Sequence, residues 1–368
     1  MALPVTNGTA IFLGRRWQGF TPHNFPSSSK LKHCQICNSG YNDTTRLFSV
    51  SSAANVKIAV IEVQQKQEDS LTLGWAEFSK NVSGEWDGFG ADFTRDGLPV
   101  ELPESVVPEA YKEWEVKVFD WQTQCPTLAQ PTHFDLIYKV IRLLPTVGCE
   151  ADAATRYRID ERNLSEAVAF AYRPNGCYVA VWAVAEKAGG VGALLELEHC
   201  LVDPRDRESR VRIIQVVGVD VKGELELVGI EVFCEQWYGP FRNGDQLGGC
   251  AIRDSAFAAT KATESLKVSG VWQGINAIAS FKEHDDDDDQ KKVIRELVDE
   301  NIIRKSARDG SGLTLLPKQL WCSIDHEEEK TCCQVGWLLD QGLAITSRCF
   351  FSTGGKLKEI AMASESLE

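Results

Sequence analysis

The side chains that could carry chemistry in this 368-residue chain are few and scattered. Of the six histidines, His23 and His33 fall near the N-terminus, while His133, His199, His284 and His326 stand far apart with no serine or cysteine motif beside them. The chain has no Gly-x-Ser-x-Gly elbow to strain a nucleophile outward, and no His-Glu-x-x-His to set two imidazoles on one helix face. His199 alternates with Leu197 and Leu201, so its ring is expected on an inward strand face. Without converging partners it reads as a hydrogen-bonded structural histidine rather than a ligand-lining one. His33-Cys34-Gln35-Ile36-Cys37 offers half a zinc site, but no second Cys-x-x-Cys completes the tetrahedron. Cys332-Cys333 is vicinal in an expected strand, which sends the two thiols to opposite faces. Gly88-Phe89-Gly90 and Gly189-Gly190-Val191-Gly192 lack both the full phosphate-loop pattern and its βαβ setting. No catalytic residue, metal ligand or cofactor-binding residue is assigned, and the chain is read as a non-enzyme.

One charged cluster stands out. Asp285, Asp286, Asp287, Asp288 and Asp289 follow Glu283-His284 without the interleaved glycine and distal glutamate of a calcium loop. They read as a solvated loop, and as the candidate contact for a basic partner surface. Trp114, Trp121, Trp182 and Trp237 could stack a ligand, but aromatic side chains ordinarily fill such interiors, and core packing is expected of them.

Overall charge narrows the classes further. With 39 basic against 53 acidic residues the net charge is −14, which opposes general nucleic-acid binding, since phosphate contacts need a positive surface. No run of about 20 apolar residues could span a bilayer as a helix. Residues 1–42 contain no Asp or Glu, only Arg15, Arg16, Lys30 and Lys32 among many hydroxyl residues, the composition of a chloroplast transit peptide. The expected leader covers residues 1–54, and its hydroxyl-rich composition points to a plastid rather than a mitochondrion. The twelve cysteines are spread singly through apolar stretches, as in Cys177, Cys200, Cys234 and Cys349, which is the pattern of buried free thiols.

The elements that must position these residues are announced by a repeat. Val82-Ser83-Gly84-Glu85-Trp86-Asp87-Gly88 returns as Val268-Ser269-Gly270-Val271-Trp272-Gln273-Gly274, each time opening an alternating apolar run. An indole there can plug one end of a curled sheet while the glycines let a neighbouring strand pass closely. Period-two patterning predicts strands over Trp114–Val118, Leu136–Leu143, Glu166–Tyr172, Cys177–Ala185, Leu194–Val202, Arg210–Val219 and Gly223–Cys234. Further strands are predicted over Trp321–Ile324, Cys333–Leu339, Leu343–Phe351 and Leu357–Ala363. Apolar residues at helical spacing between Lys291 and Lys305 predict a short helix. The fold class is therefore mainly β, with two tandem antiparallel barrels. An extension over residues 55–81 precedes the first, at 82–245; a linker at 246–267 leads to the second, at 268–368.

The paired openings, the segment from Gly84 to Phe93 and the ending from Val335 to Leu343 resemble a plant and cyanobacterial family of lipocalin-like barrel proteins. Within it, they are most similar to the two-barrel biogenesis factors of the chloroplast ATP synthase. That resemblance implies a stromal, non-enzymatic assembly factor that holds the β and γ subunits of the catalytic head during assembly. The matching words mark barrel openings and carry no binding residue with them. Related barrels attach or carry tetrapyrroles, so the rival function is a bilin or porphyrin lyase or carrier. The two are separated by the interior: a carrier needs a cavity with convergent polar groups, whereas a scaffold can fill its barrels and work from the outside.

Overall fold

Alternation of apolar and polar residues dominates the chain because nearly all of it is strand. The computed structural model describes residues 73–147, 155–184, 193–245, 256–281, 293–310, 312–340 and 342–368. These all belong to one compact unit, Val56–Glu368. The expected leader, the residues 285–289 and the half zinc site at 33–37 lie outside the described residues. A helix described over residues 73–82, α1, leads into β1 (Glu85–Thr94). After the short helix α2 (Glu109–Glu113) come β2 (Asp120–Gln124), β3 (Thr127–Gln130), β4 (Asp135–Leu143), β5 (Arg156–Asn163) and β6 (Ala167–Tyr172). The run continues with β7 (Tyr178–Val184), β8 (Ala193–Val202), β9 (Ser209–Val219) and β10 (Leu225–Gly239). A second short helix, α3 (Ser265–Val268), leads into β11 (Gly270–Ser280), β12 (Val293–Glu296) and β13 (Val298–Arg308). The chain ends with β14 (Thr314–Leu316), β15 (Leu320–His326), β16 (Lys330–Asp340), β17 (Leu343–Ser352) and β18 (Leu357–Leu367).

Two sheets result. The larger has the order β12-β6-β7-β8-β9-β10-β1-β2-β4-β3, with β5 also on β4; the smaller runs β13-β11-β18-β17-β16-β15-β14. Most neighbours are sequential antiparallel strands, as expected of a meander with turns at 173–176, 222–223 and 353–355. The larger sheet curls. Tyr138 on β4 bonds Glu198 on β8, although these strands lie five ladder steps apart, about 24 Å in a flat sheet.

The repeated opening has the same physical role in both sheets. Trp86 donates its indole N–H to the Val82 carbonyl at 2.9 Å, and Trp272 does the same to Val268 at 2.7 Å. Each ring is fully buried and carries a guanidinium over its face, Arg210 on Trp86 at 4.1 Å and Arg308 on Trp272 at 5.2 Å. Gly88 and Gly274 pass so close to the carbonyls of Cys234 and Ser364 on the adjoining strands that a Cβ would collide with the backbone.

Period two also explains the packing between sheets. On β8 and β9, Leu197, Leu201, Val211, Ile213 and Val217 face one way, into a core they share with Cys322, Cys333, Val335, Cys349, Phe351 and Ile360 of the smaller sheet. Glu198, Cys200, Arg210, Arg212 and Ile214 take the alternate positions, with Cys200 and Ile214 in a second cluster of their own. β12 adds to this joining, since it follows β11 in sequence but pairs in parallel with β6 of the larger sheet.

Two expected elements are corrected. Residues 291–305 are not helical where described: 293–296 form β12 and 298–308 form β13. Their spacing satisfies a helix, but Val293, Ile294, Val298, Ile302 and Ile303 are β-branched and two unpaired sheet edges are within reach, so pairing prevails. Trp114–Val118 forms no strand. Trp114 caps α2, Glu115 takes φ 54°, and Trp114 is 61% exposed, so its alternation has no partner edge to fill.

Candidate functional site: one filled cup and one open cup

The larger sheet curls around a cup that contains Trp86. In the smaller sheet Arg308 of β13 lies 5.4 Å from the Trp321 ring of β15, five ladder steps away, around a second cup that contains Trp272. The two cups differ in what fills them. The first is packed with its own side chains. Trp75, Phe78 and Val82 of α1 lie against Phe170, Tyr172 and Tyr178, with ring centroids of Phe78 and Tyr172 5.1 Å apart. Beneath them sits a buried ionic network, in which Arg210 Nη1 lacks an acceptor. Glu235 accepts from Arg210 Nε at 2.7 Å and from Arg212 Nη2 at 2.8 Å, while Glu198 accepts from Arg212 Nη1 at 3.0 Å. Tyr138, Tyr178 and Trp182 complete the shell of Glu198. Two guanidiniums face two carboxylates, so the buried charge balances. Burial alone would raise both carboxyls, but the neighbouring arginines hold Glu198 and Glu235 below the usual carboxylate range. Burial and the Glu198 charge push the Tyr138 hydroxyl well above its ordinary value. This arrangement locks β8, β9 and β10 together.

The second cup is open. A cavity of about 680 Å³ is bounded by β11, β13, β15, β16 and β17, with Arg308, Arg348, Ser306, Ser323 and Gln334 on its walls. Arg308 is held between Trp272 and Trp321, its guanidinium 5.2 and 5.4 Å from the ring centroids. Glu365 pairs with both Arg308 and Arg348. Arg348 Nε also reaches Gln334 Oε1 at 3.3 Å. Burial outweighs Glu365 and lowers the Arg308 pKa from its ordinary value. Val271, Leu313, Cys332 and Phe350 give the cavity apolar wall, with Asp325 and Glu327 also in its lining. The Cys332 thiol is pushed up to about 12 by burial, so it stays protonated at neutral pH.

The histidines do not converge. His199 is fully buried between the sheets, Nδ1 2.8 Å from Ser347 Oγ, and burial pushes its pKa down to about 3. It is the structural histidine expected. His133 is exposed, its ring Nδ1 meeting the neighbouring Thr132 hydroxyl at 2.9 Å, and His326 meets Thr331 at 3.2 Å. Of the four tryptophans weighed as stacking groups, Trp121 and Trp182 are buried, while Trp114 and Trp237 are substantially exposed. The described cysteines are free, and all but Cys234 are buried. Cys333 enters the core between the sheets and Cys332 lines the second cup, the opposite-face arrangement expected of that pair. Among the described residues no group of His, Cys, Asp or Glu is arranged to hold a metal, and no helix is long and apolar enough to cross a membrane.

Sequence reasoning passed over the arginines that organise both cups. The signal was present in β9, where Arg210 and Arg212 interrupt an apolar strand at inward spacing and Glu235 and Glu198 sit on the strands to either side.

No family model matches this chain, and no curated protein matches it. Among solved structures it is similar to a DUF3598-family protein of unknown function from Nostoc punctiforme, 13% identical, with 80% of this chain and 98% of that one covered and a TM-score of 0.45. It also matches, at 8% identity and a TM-score of 0.18, a Bacteroides fragilis protein titled "a putative outer membrane protein", covering 79% of this chain and 99% of that one. Neither likeness carries an argument about function.

Proposed function

We propose that this chain is a non-enzymatic assembly factor of the chloroplast stroma, built from two tandem lipocalin-like barrel units, that holds the β and γ subunits of the ATP synthase catalytic head while they assemble. The partners come from the resemblance of the two Trp-bearing openings and the 335–343 ending. The observation that carries the reading is the first cup: its interior is taken up by α1 and a balanced ionic network, which leaves recognition to outer surfaces. The shared core makes a stiff body suited to that work. Among outer surfaces, β13 at the edge of the smaller sheet exposes Val298, Ile302 and Ile303, each more than 60% accessible, and an unpaired edge with apolar side chains suits a protein partner.

Tagged protein lacking residues 1–54, mixed with chloroplast stroma, is expected to retain the ATP synthase β and γ subunits. Replacing Ile302 and Ile303 with Asp should reduce that retention at least severalfold without changing the far-ultraviolet circular dichroism. Retention of neither subunit by the folded parent chain would remove the reading. Serine at 285–289 tests the acidic run separately through association rate and its salt dependence. The rival, tetrapyrrole carriage, has a possible seat in the second cup, and stoichiometric retention of bilin or porphyrin would favour it.

A further inference from the structure

We propose that the second cup binds one small organic monoanion, a carboxylate or sulfonate on a compact apolar body, with its charge against Arg308 and Arg348. The inference stands apart from the scaffold reading, since a holder of proteins can also carry a ligand within one unit.

The two cups share a plan and differ in charge balance. In the first, Arg210 and Arg212 meet two carboxylates, Glu198 and Glu235; in the second, Arg308 and Arg348 share Glu365 alone. Of the first pair of arginines only Arg210 Nη1 is buried without an acceptor; the second cup has more such donors. Arg308 Nε, Arg308 Nη1 and Gln334 Nε2 are buried without a hydrogen-bond acceptor, and both residues line the cavity. Arg308 is only 8% exposed and is fixed by the two indoles, so its charge is pre-placed rather than free to swing into solvent. Buried donors in a site of low dielectric favour an acceptor that brings negative charge.

The walls define the rest of the ligand. A cavity of about 680 Å³ lies within the range of small-molecule sites, and Val271, Leu313, Cys332 and Phe350 offer apolar contact. Asp309, Asp325 and Glu327 also border it, and Lys330, which lies over Phe350 at 5.0 Å, already pairs with Glu327 at 3.2 Å. Those carboxylates oppose polyphosphates and other multiply charged anions. A single charge directed at the arginines, on an apolar body, satisfies both the floor and the rim.

The test is a titration of the full chain with two probes that share a ring system, the anionic 8-anilinonaphthalene-1-sulfonate and the neutral N-phenyl-1-naphthylamine. The sulfonate probe is expected to bind one to one and to be displaced by decanoate but not by decanol. Arg348→Gln should weaken it about tenfold, Arg348→Lys should restore most of the loss, and the neutral probe should respond to neither. Phe350→Glu leaves both arginines in place and adds a carboxylate beside the apolar wall. It should weaken the sulfonate probe as well, so a poorly folded Arg348→Gln protein does not end the test. No saturable one-to-one binding by the folded parent chain, or unchanged affinity in folded Arg348→Gln or Phe350→Glu, overturns the proposal.

Discussion

Buried charge is tolerated here only where each ion has its partner, and that makes single residues in the first cup sensitive to change. Glu235 takes three hydrogen bonds from two fully buried arginines. Glu235→Gln would leave Arg210 and Arg212 with Glu198 as the only carboxylate in the network, and breaking a buried pair in this way costs about 3–5 kcal/mol. Urea unfolding followed by tryptophan fluorescence should show that loss; a change below about 1 kcal/mol would mean the network is solvated. His199 gives a prediction with a pH signature. Its pKa is about 3 when folded against an ordinary 6.5, so above 6.5 both states are neutral. As pH falls below 6.5 the unfolded chain takes up a proton that the folded chain refuses until about 3, and stability is lost through that window at up to about 1.4 kcal/mol per pH unit. Asp87 and Asp92, raised to about 7, and Asp120, raised to about 6, act in the opposite sense. Burial is the first cause for each, and they favour the folded state increasingly as pH falls. The measurement is therefore the difference between the parent and His199→Gln: the parent should lose stability relative to the variant between pH 6.5 and 4, and a flat difference would show that His199 is not buried neutral.

At the scale of elements, the repeated opening works through backbone proximity as much as through its indole. Gly88→Ala would drive a methyl into the Cys234 carbonyl on β10, and Gly274→Ala into the Ser364 carbonyl on β18. Each should cost about 1–3 kcal/mol by overpacking, read as a lowered denaturation midpoint, whereas Gly354→Ala, whose added Cβ would make only ordinary contact with Ser352, should cost much less. These openings were legible in the sequence, as were the meander from β6 to β10, its turns, and β15 to β18, because one face of each strand is core and the other is not. What escaped were elements whose pattern is set by distant partners. β5 reads Arg-Tyr-Arg-Ile-Asp-Glu-Arg-Asn, mostly charged with only Tyr157 and Ile159 between, and is a strand because β4 offers it an edge and Trp121 stacks on Tyr157 at 5.0 Å. β12 and β13 share one apolar run divided between two sheets, so no single period could describe both. The second cup was hidden for a related reason. Its charged members, Arg308, Arg348 and Glu365, come from three strands and look like ordinary surface charge until the sheet curls them together.

Taken whole, the molecule joins its two repeated openings through one apolar core. Leu197, Leu201, Val211, Ile213 and Val217 of the larger sheet find their cover in Cys333, Val335, Cys349 and Ile360 of the smaller one. Gln215 reaches across to the carbonyls of Ser323 and Gln334 at 3.2 and 3.4 Å. β12 leaves the second repeat to extend the first sheet. A fragment ending at residue 245 would keep the first cup with its tryptophan and ionic network, yet would expose that apolar face and lose the strand beside β6. Each large apolar side chain uncovered forfeits about 1.5–3 kcal/mol, so the loss from only five such residues rivals the ~5–15 kcal/mol net stability of a typical folded domain. The expected outcome is that fragment 73–245 is molten or aggregated, with lost near-ultraviolet circular dichroism and retained far-ultraviolet signal, while the chain from 73 to 368 unfolds in one calorimetric transition. A cooperatively folding fragment, or two resolved transitions in the longer chain, would mean that the contact between the sheets is an interface rather than a core. The repeats could then move against each other, whereas with the shared core intact the body is rigid.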